Sequence, residues 1–145
     1  MTLPVIVVLW AFGILATALV VIDVKTRKLP YPLTLPLLGM GLYLSFAAPF
    51  PWWHGWIVAV SCIALFWTLR GVGQYAMLER GDGDAVLLGA FGAVLGPWIL
   101  PVIVAMGLFG ALLAGVAMAR KVRTPLPYAP AIVAPGLIAI GVLVL

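Results

Sequence analysis

The chain has 145 residues, 66% of them hydrophobic and 8% charged, with a mean hydropathy of +1.27. Soluble domains carry roughly 25% charged residues, so this composition excludes a water-soluble globular domain and marks an integral membrane protein. The net charge of +4 reflects Lys and Arg retained in cytoplasmic loops, the usual asymmetry of membrane proteins, and gives no support to nucleic-acid binding.

A hydrocarbon core takes about 20 apolar residues per helix, and six segments approach that in chain order. Residues 3–22 form the first. No basic residue precedes this run and no clear cleavage site follows it, so it reads as a retained span rather than a removed signal peptide. Residues 33–48 form a shorter second span, bounded by Pro30 and Pro32 before it and by Pro49 and Pro51 after it. The third, 53–69, holds Cys62, the single cysteine, which reads as a small buried hydrophobe with no disulfide or metal partner. The fourth, 85–95, is short and completed by residues around Asp84. Gly96-Pro97 allows a tight turn into the fifth, 98–119, and the sixth is 129–145.

The expected fold is an all-α, polytopic transmembrane helix bundle of about six spans, forming one integral-membrane domain over residues 1–145. A five-span version with a re-entrant fourth segment is the alternative. Gly92 and Gly96, like Gly89 and Ala93, are four apart, and such small residues let membrane helices approach closely. Packing inside the bundle is preferred to a dimerisation motif, and the oligomeric state is left open.

The eight cations and four acids occupy three short stretches. Asp23, Lys25, Arg27 and Lys28 form the first; Arg70, Glu79, Arg80, Asp82 and Asp84 the second; Arg120, Lys121 and Arg123 the third. Six spans put all three on one face and both termini on the other. The Lys and Arg bias makes the loop face cytoplasmic, in the inner (plasma) membrane, and leaves the termini on the non-cytoplasmic side. The opposite connections are uncharged and carry Trp52, Trp53, Trp56 and Trp98, placed as interfacial anchors among membrane lipids.

Taken alone, Asp23 reads first as a solvated helix-end residue paired with Lys25 or Arg27. Asp84 closes the run Gly81-Asp82-Gly83-Asp84, directly before Ala85-Val86-Leu87-Leu88. The glycines permit positive φ and close approach of a substrate strand. An Asp here also fits an N-cap after a glycine turn, with Asp82 a solvated turn residue. Brought together, two carboxylates can activate water for peptide hydrolysis, an ionised one acting as base and a protonated one as acid. Like charges held close share one proton, and this chemistry needs neither metal nor cofactor. The only histidine, His54, lies in Trp52-Trp53-His54-Gly55-Trp56 on the opposite face, which disfavours a Ser–His dyad with Ser45 or Ser61 and a zinc site. It reads as an interfacial hydrogen-bonding ring.

Three ordered segments resemble those of the type IV prepilin peptidase family, membrane aspartyl proteases of the GxGD type. Asp23-Val24-Lys25-Thr26-Arg27-Lys28-Leu29-Pro30 with Leu33-Thr34 is similar to the family's first Asp, basic loop and following helix start. Gly81-Asp82-Gly83-Asp84 with Leu87-Leu88, Gly89-Ala90 and Gly92-Ala93 resembles its GxGD motif and small-residue helix. Leu126-Pro127-Tyr128-Ala129-Pro130-Ala131-Ile132 is similar to the Pro-aromatic segment opening its last helix. The resemblance implies catalytic aspartates at Asp23 and Asp84, with Gly81 and Gly83 as motif backbone beside the substrate. It further implies cleavage of the short basic leader of pilin-like precursors, typically after a glycine, at the cytoplasmic face, in the service of type IV pili or protein secretion. Two positions depart from the family pattern: Val86 stands where a Lys is frequent and Tyr31 where an Asn is usual. The family's long members carry a cysteine-rich cytoplasmic insertion and methylate the trimmed pilin, so the resemblance is to a short, peptidase-only form. Arg27, Lys28 and the stretch between Arg70 and Arg80 are expected to help place the substrate. Two rivals remain: a small proton-coupled transporter using the same acids as a relay, and a catalytically inactive scaffold of a pilus or secretion assembly.

Overall fold

A computed structural model describes residues 2–26, 29–72, 82–119 and 129–144. Gly81, Arg27, Lys28, Glu79, Arg80, Arg120, Lys121, Arg123 and residues 126–128 lie outside the described residues. Every regular element among the described residues is helical: α1 (Leu3–Thr26), α2 (Tyr31–Ser45), α3 (Trp52–Val72), α4 (Asp82–Leu95), a 3₁₀ turn (Gly96–Trp98), α5 (Ile99–Ala119) and α6 (Ala129–Val144). Long apolar runs favour this outcome because a helix satisfies its own backbone hydrogen bonds where no water can.

The helix ends show how proline and glycine divide the chain. Pro30, extended at φ −73° and ψ 125°, is the N-cap of α2, and its carbonyl accepts from Leu33 N at 3.0 Å and Thr34 N at 3.3 Å. Pro32 falls in the first turn, where no amide hydrogen is needed, so it lies inside the helix it was expected to precede. At the far end Phe46 N and Ala47 N donate to Tyr43 O and Leu44 O, a tightened last turn that ends α2 three residues before the expected 48. Pro36 and Pro135 lie within α2 and α6. Gly96 stops α4 by adopting φ +52°, a left-handed conformation that glycine enters without steric cost.

Two helical stretches are long and apolar enough to cross a membrane: Leu3–Thr26, and Gly83–Leu112 taken through the 3₁₀ turn. Trp52–Thr68 and Ala129–Val144 are shorter apolar helices. The outward faces are apolar as well. Leu3, Trp10 and Ile14 on α1, Leu108 on α5, and Ile138 and Val142 on α6 are all mostly exposed. An apolar surface this continuous is solvated by hydrocarbon rather than water, and with the long helices it points to a membrane protein.

Helix α4 sits at the centre, packed by α2, α3 and α6, with Leu87, Ala90, Phe91 and Ala93 fully buried. Small residues make those contacts possible. A Cβ on Gly89 would meet Ile63 at 2.7 Å, and one on Gly92 would meet Cys62 Sγ at 3.0 Å, so both glycines serve packing of α4 on α3 within the chain. Gly41 is the tightest point between α2 and α4: its Cβ would lie 2.5 Å from Ala90 O and 3.2 Å from Ala90 C. Backbone atoms cannot rotate aside. Gly41→Ala is therefore expected to destabilise the bundle by about 1–3 kcal/mol despite the better helix propensity of Ala. A thermal unfolding midpoint in lipid or detergent at or above wild type would contradict this packing.

Candidate active site

Four polar or charged side chains are buried among the described residues: Asp23, Thr34, Ser45 and Asp84. Thr34 Oγ1 donates to Tyr31 O at 3.3 Å and Ser45 Oγ to Leu42 O at 2.6 Å, so both hydroxyls are satisfied within α2. The two acids are only 5% exposed. Acidic side chains are rarely buried unless paired or functional, and that singles out these two positions from everything else in the core.

A stack of three buried groups sets the level of these acids. Phe12 on α1 meets Phe91 on α4 edge to face, with ring centroids 5.2 Å apart, a favoured aromatic geometry. Gly136 on α6 lies against the same Phe91 ring so closely that a Cβ would overlap Cδ1. From that level α1 runs eleven residues on to Asp23, α4 runs seven back to Asp84, and α6 seven back to Ala129. At ~1.5 Å per residue these are rises of about 16, 10 and 10 Å. Leu29, which follows α1, packs against Gly83 at the start of α4, so the end of α1 and the start of α4 share one end of the bundle. Asp23 and Asp84 are thus brought to the same end.

Asp23 lies in the last turn of α1 and is not solvated there. A carboxylate in a last turn is opposed by its own helix dipole, so its position calls for a donor from outside the helix. Ala129, the first residue of α6, supplies one: its backbone N–H donates to Asp23 Oδ2 at 2.9 Å, a buried hydrogen bond between residues 106 apart in sequence. Lys25, one residue from the helix end, is exposed.

Asp84 occupies the first turn of α4, which begins at Asp82. Residues 82–84 are therefore part of the helix rather than a turn ahead of one starting at 85, and Asp84 is not its N-cap; negative charge in a first turn is favoured by the helix dipole. Gly83 has no positive φ; Gly96 alone has one among the described glycines. What Gly83 allows is close approach of the chain to itself, since a Cβ would sit 2.5 Å from Leu29 Cβ and 2.7 Å from Leu29 O. Gly81 lies outside the described residues.

His54 is half-buried at the first turn of α3, 3.7 Å from Trp53 between ring centroids. Gly55 beside it packs on Ala93 near the end of α4, which places this ring at the opposite end from the acids. Its Nδ1 is buried without a hydrogen-bond partner among the described residues. No group of three His, Cys, Asp or Glu side chains among the described residues is placed to hold a metal ion. The Ala129 amide was missed by sequence reasoning. Backbone groups have no residue signature, and Pro130, a favoured residue in a first helical turn, marked only where α6 begins.

Comparison with known proteins adds a family. The model of the type IV leader peptidase family matches residues 10–119. The chain is similar to prepilin leader peptidase/N-methyltransferases. It is 31% identical over 133 residues to that of Neisseria gonorrhoeae (86% of this chain, 46% of the relative). It is 36% identical over 140 residues to that of Burkholderia pseudomallei strain 1026b (87% and 44%), and 39% identical over 99 residues to that of Pectobacterium carotovorum (64% and 36%). The chain spans less than half the length of these relatives. No solved structure matches it.

Proposed function

We propose, since this chain belongs to the type IV leader peptidase family, that it is a membrane-embedded aspartyl endopeptidase removing the short basic leader of prepilin-like precursors. The observation that carries this reading is the pair of buried acids, Asp23 and Asp84, at one end of an otherwise apolar bundle. One carboxylate, ionised, takes a proton from water as the water oxygen attacks the scissile carbonyl carbon. The other, protonated, donates its single proton to the carbonyl oxygen, giving a gem-diol. As the C–N bond breaks, the first carboxyl passes the proton it took from water to the departing amine, and a gem-diol hydroxyl returns its proton to the second, which restores the pair. The bundle keeps bulk water from the two acids and strengthens their interaction.

Six spans with both termini on the non-cytoplasmic side would put Asp23, Asp84 and all the charged stretches at the cytoplasmic face of the inner membrane. A basic leader reaching that face from the cytoplasm would meet the acids directly. The test is purified protein in lipid vesicles incubated with a panel of prepilin-like precursors, the products sequenced by mass spectrometry. We expect a single cut at the leader junction. Precursor binding without a cut would favour the inactive scaffold, and proton-dependent flux without a cut would favour the transporter.

A further inference from the structure

We infer that the backbone N–H of Ala129 is a positioning group for Asp23, selecting which carboxylate oxygen takes part in the reaction. This rests on the peptidase reading above. An amide N–H can only donate, so Oδ2, which it meets at 2.9 Å, is held as an acceptor. A proton that Asp23 carries or takes up is then favoured on Oδ1, because the unprotonated oxygen is the stronger acceptor, and Oδ1 is the oxygen this amide does not engage. Pro130, the next residue, has no N–H to offer, so this amide is not joined by its immediate neighbour in holding the carboxylate.

The hold is stiff because of where α6 is fixed. Ala129, Ala131 and Ile132 are fully buried, and seven residues further on Gly136 rests on Phe91, which rests on Phe12. The helix delivering the amide is thereby registered against the two helices carrying the acids. A shift of α6 along its axis by one residue, about 1.5 Å, would break the hydrogen bond and free the Asp23 side chain to rotate. Helix α6 is then part of the active-site geometry through a main-chain group.

The decisive experiment replaces the Ala129 amide by an ester through nonsense suppression, which removes one N–H and keeps the methyl side chain. Turnover per folded enzyme should fall about 10- to 100-fold, the range for one hydrogen bond to a charged group, with KM for the precursor within about twofold. The same ester placed at Ile138, on the exposed face of α6, removes one helix N–H away from the acids and should retain kcat within about threefold. A merely structural contact would lower the folded fraction and leave kcat per folded enzyme unchanged, which would overturn the inference, as would the Ile138 ester losing as much turnover as the ester at Ala129. Independently of cleavage, the Ala129 amide should be protected from hydrogen exchange, and Asp23→Ala should remove that protection. Rapid exchange in the wild type overturns the inference whether or not precursor is cut. An unreactive wild type with a protected amide locates the failure in the peptidase reading, and the catalytic role of this amide falls with it.

Discussion

Asp23→Asn and Asp84→Asn are each expected to lower precursor cleavage by at least about 10⁴-fold, the scale seen when one member of a concerted catalytic set is neutralised in place. Asn matches Asp in size, so the buried volume at either position is unchanged. It cannot ionise, so it cannot take a proton from water as a carboxylate base, and its amide is a poor donor of a proton to the departing group. Folding should survive. The side-chain oxygen of an Asn at 23 can still accept from Ala129 N–H, the contact that Asp23 makes through Oδ2. At 84 a buried acid is replaced by a neutral group whose desolvation costs less. Because the acids act as a unit, the double variant should be no slower than either single one. The measurement is product formation followed by mass spectrometry, beside thermal unfolding of each variant in the same lipid. Normal processing by either single variant would remove the aspartyl mechanism. Loss of activity together with loss of the fold would be settled by Asp23→Glu and Asp84→Glu, which keep an ionisable group and should keep measurable turnover if the carboxylates are chemical rather than architectural.

The two acids were legible in the sequence because charge is scarce in this chain and both stand out at the edges of apolar runs. All-helical structure was legible for the same reason, since apolar runs of this length leave the backbone no other way to satisfy itself. The number of spans was less so. Helices α2, α4 and α6 have 15, 14 and 16 residues, or about 21–24 Å at 1.5 Å per residue, against a hydrocarbon thickness of ~30 Å. Hydropathy alone cannot say how such helices sit. The start of α4 was misread for a different reason. Two glycines alternating with two aspartates have low helix propensity, but the surroundings of α4 override it, because the first turn is the piece that meets Leu29. The Asp23–Ala129 contact joins residues 106 apart through a main-chain amide, and no local pattern announces such a pairing.

Gly83 is where the fold and the chemistry can be separated by a single methyl group. Its backbone is helical, so Gly83→Ala alone would be expected to stabilise α4 by about 1 kcal/mol through helix propensity. The opposite is expected here. The added Cβ would lie 2.5 Å from Leu29 Cβ and 2.7 Å from Leu29 O, and neither atom can move by side-chain rotation. Leu29 is itself buried and is followed by Pro30, the N-cap of α2, so relief requires shifting the start of α2 or the start of α4. Overpacking of this kind costs about 1–3 kcal/mol, enough to cancel or exceed the propensity gain. The displacement falls one residue from Asp84, and a misplacement of ~1 Å at a reacting group can cost about 100-fold in rate. Gly83→Ala should therefore lose about 10- to 100-fold in kcat with a modest change in unfolding midpoint, whereas Gly83→Val should fail to fold. Gly107→Ala is the internal control: no atom lies within 4 Å of a Cβ there, so it should raise stability slightly and leave cleavage unchanged. If Gly83→Ala instead behaves like Gly107→Ala, Leu29 does not press on α4, and the glycine is kept for the approach of substrate.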